Sequence, residues 1–338
     1  MRRSDECIPS NFCLSENFVA VTESLNRIRH TLDKSYKKRI KQYKSPSIHD
    51  TVWFDFASIR RITPSSALAL TSEFDRAMRL VGGRRLSLVN VEKWNFEVLR
   101  NLAELGLLEM FGISPDNKEL HKLGKTILLP IRSSDLVLGG EANELYEGIR
   151  ALIDNIELAD IDDAANKRLR AEICAILTEA MENVATHAYP EGADFDFHFL
   201  PRWWMTAALN TDEKKLTVAM YDQGVSIPVS LPSWERYDKV DAMLRRFKNM
   251  LANRNEIGDV TDGLAIRVAM KVAVSATREE NRGKGLPEMK RFIDSCRDGH
   301  LRIISRAGEY VYRKNERPRA FNHPTSLGGT LIEWEVLL

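Results

Sequence analysis

The chain has 338 residues, of which 43% are hydrophobic and 29% charged, and its formal net charge is +1. This length allows two domains of ordinary size, each with its own core. The near-neutral charge argues against wholesale binding to nucleic acid or anionic membranes, so neither is an expected partner. No stretch reaches the ~20 apolar residues of a membrane span. The chain also starts without the apolar region of a signal peptide, and its 4 cysteines lack CxxC spacing, so we expect a reduced, cytoplasmic setting.

The N-terminal part of the sequence predicts a small α/β domain over residues 1–111. Residues 23–44 carry apolar Leu25, Ile28 and Leu32 among lysines and arginines, which predicts an amphipathic helix with a basic face. That face is either solvated or a docking surface for acidic partners. Strand and helix patterns then alternate, as in an α/β layer. The predicted elements are a strand at 51–56, a helix at 64–80 that begins with proline, a strand at 84–91, and a helix at 94–111 interrupted by Gly106.

Residues 112–126 are polar and rich in turn-forming residues, and we interpret them as a linker before a second domain at 127–338. The linker contains the tripeptide GKT at 124–126, which invites comparison with a phosphate-binding P-loop. A P-loop requires a glycine where Glu119 stands, and a helix after the motif. A strand-like segment ending in proline follows instead, so the sequence excludes a P-loop here.

The C-terminal part of the sequence predicts helices first and mostly antiparallel strands later. This order is typical of an α+β sandwich in which one sheet is covered on one face. The predicted helices lie at about 141–156, 166–189 and 262–275 and from Leu286 onward, with an amphipathic segment at 234–254. The predicted strands lie near 195–200, 215–221, 301–305, 308–313 and 329–338.

Three polar residues recur at every fourth position of the predicted helix 166–189: Glu179, Asn183 and His187. They lie beside an apolar stripe on the helical wheel. One interpretation is a solvated helix flank with ordinary i,i+4 pairing. The other is a functional site, in which Asn183 ligates Mg²⁺ through a hard oxygen and Glu179 orients or deprotonates a nucleophile.

Two further motifs lie at strand ends. Asp222 ends a predicted strand and is followed by Gly224, a pattern that indicates either a turn or a carboxylate that accepts a hydrogen bond from an adenine amino group. The sequence SLGGT ends with Thr330 as it enters the terminal strand, and its simplest interpretation is a hairpin turn.

A glycine-rich motif precedes the helix that begins at Leu286. Gly283 and Gly285 flank Lys284, so backbone N–H groups, the helix N-terminus and the lysine could together approach phosphate oxygens. An ordinary loop is the alternative.

In this order, the motifs resemble the nucleotide-binding signature of the GHKL ATPases, which include gyrase, chaperone, histidine-kinase and mismatch-repair relatives. The nearest resemblance is to the anti-sigma-factor serine kinases, whose helix reads E-x-x-x-N-x-x-x-H-A-Y, here Glu179 to Tyr189. The resemblance covers about residues 140–338 and implies a GHKL-type α/β sandwich that binds ATP and Mg²⁺.

The resemblance also implies a role for each matching residue. Glu179 would be the general base, Asn183 the Mg²⁺ ligand and Asp222 the reader of adenine. The family pattern D-x-G-x-G has Ser226 at its second glycine, so the pocket geometry or affinity is expected to differ. The other implied nucleotide-binding residues are His187, Gly224 beside the adenine, Gly283, Lys284, Gly285 and Leu286 at the phosphates, and Thr330 as support for Asp222; the segment between Pro228 and Gly283 would be an ATP lid.

The N-terminal half is similar to a STAS domain, the fold of anti-sigma-factor antagonists, through FDFASIRRITPSSALAL and LSLVNV. In those antagonists a serine at the helix start accepts phosphate, whereas Pro64 stands at that position here. Thr63 is expected to cap the helix, with Pro64 in its first turn. The resemblance implies a regulatory or docking module, with STAS or sigma-factor-system proteins as partners; homodimerisation is common among such proteins.

Several activities stay open at this point. The second domain is expected to be an ATPase or a serine/threonine kinase, and the alternative is a non-catalytic switch in which nucleotide orders the lid. A sensor histidine kinase is disfavoured, because His30 lacks the acidic residue and proline that should follow a phosphoacceptor histidine.

Overall fold

A computed structural model describes residues 8–41, 51–81, 86–114, 126–135, 163–234, 237–252, 261–276 and 285–338, together with residues 144, 147, 148 and 151. The chain divides into two compact units. Unit 1 comprises Met1–Ile131 with Phe195–Leu200, and unit 2 comprises Arg132–Asp194 with Pro201–Leu338. Most of the predicted linker falls on 115–125, outside the described residues. Among the described helices, none has both the length and the apolar character that a membrane span requires.

Unit 1 alternates short strands and helices, as the sequence predicts for residues 51–111. Strand β2 pairs in parallel with β4, and β1 pairs in parallel with β3. Gly106 separates the last two helices at a φ of 96°. The elements are β1 (Asn11–Phe12), α1 (Phe18–Lys41), β2 (Val52–Phe54), β3 (Arg61–Ile62), α2 (Pro64–Val81), β4 (Leu86–Leu88), α3 (Phe96–Glu104), α4 (Leu107–Met110) and β5 (Thr126–Leu128).

The start of α2 differs in detail from the expected cap. The Thr63 carbonyl accepts the N–H of Ala67, but the Thr63 hydroxyl pairs with the Ser66 hydroxyl at 2.8 Å. Ser66 Oγ also accepts the backbone N–H of Leu14 at 3.0 Å. Ser66 and its neighbour Ser65 are both buried. These serines therefore tie the helix start to the preceding chain.

The predicted strand at 195–200 is wrong. This segment is irregular, and side chains satisfy its backbone: His198 N–H donates to Asp33 Oδ1 at 3.0 Å, and the His198 carbonyl accepts from Arg76 at 2.7 Å. The Phe197 ring lies between the guanidinium groups of Arg29 and Arg76, at 4.7 and 4.8 Å from its centroid. Of the alternating aromatic residues, Phe197 thus stacks with cations, while Phe195 and Phe199 pack on each other.

The two arginines share one buried carboxylate. Glu73 accepts a hydrogen bond of 2.9 Å from Arg29 Nε and one of 2.8 Å from Arg76. Burial alone would raise the pKa of Glu73, but the two guanidinium groups outweigh it and lower that pKa. Glu73 therefore remains ionised and joins α1 to α2 inside unit 1.

Unit 2 contains helices and a large antiparallel sheet, so the chain belongs to the mixed α/β class. The described strands of this unit are ordered β11-β10-β9-β12-β8-β7-β6, and every neighbouring pair is antiparallel. Its elements are β6 (Arg132–Asp135), α5 (Asp163–Asn183), a π-helical turn (Val184–Ala188), β7 (Arg202–Asn210), β8 (Lys215–Asp222), α6 (Ile227–Ser230), a 3₁₀ turn (Leu231–Ser233), α7 (Tyr237–Ala252), α8 (Asp262–Ala276), α9 (Gly285–Ser295), β9 (Gly299–Ser305), β10 (Gly308–Arg313), β11 (Arg319–Asn322) and β12 (Thr330–Leu337).

The prediction succeeded for most of these elements. The strands β8, β9, β10 and β12 and the helices α8 and α9 lie where the sequence predicts them. Strands β6, β7 and β11 were not predicted, and most of the predicted helix at 141–156 lies outside the described residues. Helix α8 packs on β10 and β11, and α9 packs on β9, α5 and α8. Consecutive residues of β7 and β8 are buried at the centre of the sheet.

Candidate functional site

The end of α5 provides the first wall of a cavity. Its apolar stripe is buried as predicted, which orients the helix on the sheet. After Asn183 the α-helix widens into the π-helical turn that contains His187. Such turns occur often at functional sites. The buried stripe consists of Ile173, Leu177, Ala180, Val184 and Ala188.

Glu179 and Asn183 keep the predicted i,i+4 relationship. The nitrogen of the Asn183 side-chain amide donates a hydrogen bond of 2.8 Å to the Glu179 carbonyl. The amide oxygen is not used in this bond and can serve as a hard oxygen ligand for a metal ion. Partial burial raises the pKa of the Glu179 carboxyl, and the negative charges of Glu182 and Glu288 raise it further. Since Glu288 lies in the first turn of α9, Glu179 faces that helix.

Asp222 is the buried carboxylate of the site, at the end of β8. It is 5% exposed and accepts hydrogen bonds from the backbone N–H groups of Gly224 and Thr330, the first at 2.8 Å. Burial raises its pKa to about 7, and the two N–H donors only partly offset that effect. The carboxyl group therefore changes its charge near neutral pH.

Gly224 allows the chain after Asp222 to pass against the end of the π-helical turn that follows α5. A Cβ atom at this position would lie 2.3 Å from the carbonyl oxygen of Ala188, and that same oxygen accepts the N–H of Val225 at 2.8 Å. Tyr189 holds the same junction: its hydroxyl accepts from Gln223 N–H at 3.0 Å and donates to a backbone carbonyl at 2.8 Å. This packing fixes Asp222 relative to α5.

Thr330 supports the site from the neighbouring strand. It lies opposite Asp222 in the β12–β8 pair and opposite Ser305 in the β12–β9 pair. Its hydroxyl is 2.9 Å from Ser305 Oγ. Gly329 precedes it at a φ of 77°, and a Cβ atom there would lie 2.0 Å from the Asp222 carbonyl oxygen. The predicted supporting role of Thr330 is therefore consistent with its backbone contact to the carboxylate.

These elements enclose one cavity within unit 2. Its empty space, including open solvent at the mouth, is about 460 Å³. Five of the predicted nucleotide-binding residues line it, and they come from three separate motifs and the terminal strand. These five are Asn183, His187, Asp222, Leu286 and Thr330.

Other predicted residues stand next to the lining without being part of it. Glu179 directly precedes the lining residue Ala180, and Gly224 supports Asp222 through its N–H. Gly285 begins α9, one residue before the lining residue Leu286. Gly283 and Lys284 lie outside the described residues, so their predicted phosphate contacts stay predictions.

The sequence did not identify Trp234 as a site residue. Its indole stacks on the imidazole of His187, with ring centroids 5.4 Å apart and 28° between the planes. Burial lowers the pKa of His187, so its imidazole is predominantly neutral at physiological pH. The Trp234 indole nitrogen is buried and has no hydrogen-bond partner among the residues that the structure describes.

A scan against protein-family models finds no match to this chain, and a search of curated proteins finds no significantly similar sequence. The function must therefore be inferred from the residues of the cavity. They offer a buried carboxylate, an amide oxygen, a stacked aromatic pair and a helix N-terminus. Such a set suits a ligand with both a flat ring and anionic groups.

Proposed function

We propose that the cavity of unit 2 binds ATP with Mg²⁺ and that unit 2 is a GHKL-type domain. The observation that carries this proposal is the convergence of Asn183, Asp222, Leu286 and Thr330 on one cavity, although these residues are far apart in the sequence. The resemblance assigns each of them to the nucleotide site, as a contact to the nucleotide or Mg²⁺ or as support for such a contact. Four residues chosen at random from such distant parts of the sequence would not be expected to line one pocket.

The adenine base would occupy the part of the cavity at Asp222. A buried carboxylate held by two backbone N–H donors is a fixed acceptor, and an exocyclic amino group is its natural partner. The His187–Trp234 pair offers an apolar, flat wall nearby. Flat apolar surface and one oriented acceptor are the features that select a purine ring.

The phosphates would lie toward the start of α9. Leu286 lines the cavity in the first turn of this helix, where unpaired N–H groups and the helix dipole favour anions. The Asn183 amide oxygen fits Mg²⁺, which prefers hard oxygen ligands and would neutralise phosphate charge when bound.

Glu179 would act as a general base in an ATPase or a serine/threonine kinase. Its raised pKa suits this role, because a base with a pKa nearer neutrality accepts a proton more readily during catalysis. The group that loses the proton would be water in an ATPase and a protein hydroxyl in a kinase. One observation favours the alternative of a non-catalytic nucleotide-gated switch: Glu179 does not line the cavity.

Unit 1 would be a STAS-like module that binds regulatory proteins, including STAS or sigma-factor-system proteins. Ser65 and Ser66 are buried, and Ser66 is hydrogen-bonded to Thr63 and to the Leu14 backbone, so these serines are poor phosphate acceptors. This supports a docking role rather than a substrate role for the module. Dimerisation through either unit is compatible with this proposal.

The proposed function is tested with ATP labelled at its γ-phosphate. Label released as free phosphate would identify an ATPase, and label on a second protein would identify a kinase. Glu179→Gln should abolish either transfer but preserve ATP binding, since it removes only the base. Glu191→Gln removes an exposed carboxylate just beyond the same helix end; it is the matched control and should behave like wild type. Binding without any transfer in wild type would favour the switch.

A further inference from the structure

Ser226 has a backbone conformation that is almost exclusive to glycine. Its φ is 83° and its ψ is 161°, a region in which a Cβ atom causes strain. Contacts on both sides hold it there: the Ser226 carbonyl accepts the N–H of Ser230 at 3.0 Å, and the next N–H, of Ile227, donates to Ser305 Oγ at 2.9 Å. Glycine would occupy this position without strain, so the presence of a serine here requires an explanation.

The side chain also lacks a partner inside the protein. Ser226 is 3% exposed and lines the same cavity as Asp222 and Thr330. Its hydroxyl is buried and makes no hydrogen bond to any residue that the structure describes. A buried hydroxyl without a partner destabilises a protein. In the unbound protein, Ser226 is therefore destabilising in two ways, through its strained backbone and through its unpaired hydroxyl. No contact to the described residues compensates for either effect.

We infer that Ser226 is a specificity-determining residue whose hydroxyl donates a hydrogen bond to a ring nitrogen of the bound purine. This inference rests on the proposed function and adds a base contact that a glycine cannot make. The bound purine would give the hydroxyl its missing partner, and this contact would explain why a serine occupies a strained backbone position.

The chemistry of the pocket points to adenine among the purines. Asp222, when ionised, is an acceptor only, whereas the Ser226 hydroxyl can donate. Adenine presents its amino donor beside the acceptor nitrogens N1 and N7, so one carboxylate and one hydroxyl match this edge. The corresponding edge of guanine carries a carbonyl oxygen in place of the amino group, which would face the carboxylate unfavourably. Together, the two side chains therefore favour the purine with an amino group at position 6, which is adenine.

Titration calorimetry with ATP, 1-deaza-ATP and 7-deaza-ATP tests this inference in wild type and Ser226→Ala. The two analogues each replace one acceptor nitrogen by a C–H group. We expect Ser226→Ala to weaken ATP binding about 3- to 10-fold, the usual effect of one neutral hydrogen bond. With the analogue that lacks the partner nitrogen, wild type and Ser226→Ala should bind equally, while the other analogue should show the same loss as ATP.

Two results would overturn the inference. One is equal ATP affinity in wild type and Ser226→Ala. The other is a loss of the same size with all three nucleotides, since this is what a merely structural role for Ser226 would produce. If wild type itself binds no ATP, the proposed function fails, and that result is distinct from a failure of Ser226 alone. Circular dichroism and the unfolding midpoint of Ser226→Ala establish that the variant is folded.

Discussion

The backbone N–H of Gly224 donates a hydrogen bond of 2.8 Å to Oδ1 of Asp222, two residues before it in the chain. This bond fixes the carboxylate at the end of β8, and the absence of a side chain at Gly224 lets the same loop contact Ala188. The position of Asp222 at the end of β8 thus depends on the packing of this loop against Ala188.

Nucleotide binding should strengthen as pH rises through neutrality. Burial raises the pKa of Asp222 to about 7, and only the ionised carboxyl group is the proposed acceptor. Between pH 6 and 8 the ionised fraction rises about tenfold, so the affinity for ATP should rise by a similar factor. Calorimetry across this range measures the effect, and Asp222→Asn should remove this contribution.

The same titration predicts the opposite trend for stability without ligand. A carboxyl group with a raised pKa in the folded state stabilises the protein fully below its unfolded pKa near 4. That contribution should be lost as pH rises through about 7. Tyr189 lies beside Asp222, but its own pKa is well above 10, and burial lowers the pKa of His187, so neither group should produce this trend. An unfolding free energy that rises between pH 5 and 8 in wild type relative to Asp222→Asn would contradict the assignment.

Gly224→Ala should disrupt the site. The added Cβ atom would lie 2.3 Å from the Ala188 carbonyl oxygen, a backbone atom that cannot rotate away. We expect a loss of about 1–3 kcal/mol in the free energy of unfolding, as for other overpacked sites, and a loss of ATP binding. Gly192→Ala is the control: Gly192 has a φ of 78° with open space around it, so this variant should lose some stability but bind ATP normally. Normal ATP affinity in Gly224→Ala would show that the junction is unimportant for binding.

Much of this architecture could be predicted from local sequence patterns. The helix that begins at Pro64 and the strands near 215–221 and 329–338 have strong periodicity and clear boundaries, and they lie as predicted. The positions of Asn183, Asp222 and Thr330 around one cavity depend on how distant elements pair. The resemblance suggested this grouping, whereas periodicity alone could not.

Other features could not be predicted because they depend on tertiary contacts. Residues 195–200 alternate like a strand, yet cation–π stacking and side-chain hydrogen bonds determine their structure. The π-helical turn at His187 and the stacking of Trp234 on it have no local sequence signature. At Ser226 the sequence indicated a departure from glycine, and the structure adds that the backbone keeps a conformation typical of glycine.

Ser226→Gly should stabilise the unbound protein. It relieves the strain at a φ of 83° and removes a buried hydroxyl without a partner. After subtraction of the extra flexibility that glycine gives the unfolded chain, we expect a gain of about 1 kcal/mol in the free energy of unfolding. Ser226→Ala is the matched variant, because it removes the hydroxyl but keeps the strained backbone, and it should gain less. Equal stabilities for the two variants would mean that the strain relieved by glycine is no larger than the entropy that glycine adds to the unfolded chain.

Glu73→Gln should destabilise unit 1 selectively. The change leaves Arg29 and Arg76 as buried cations without their shared counter-charge, at a cost of about 3–5 kcal/mol. Hydrogen exchange in peptides of α1 and α2 should become much faster. The exposed pair of Arg61 and Glu16 provides the control, since Glu16→Gln should leave exchange unchanged. Wild-type protection of α1 and α2 in Glu73→Gln would show that this network is not required for the packing of unit 1.

The most direct test of the nucleotide site is a calorimetric titration of ATP into the full chain, with and without Mg²⁺, in wild type, Asn183→Ala and Asp222→Asn. The account predicts saturable 1:1 binding that Mg²⁺ strengthens in wild type. Asn183→Ala should lose the Mg²⁺ effect, Asp222→Asn should lose most of the affinity, and both variants should still unfold cooperatively. Unchanged ATP affinity and an unchanged Mg²⁺ effect in both folded variants, or the absence of binding in wild type, would contradict it.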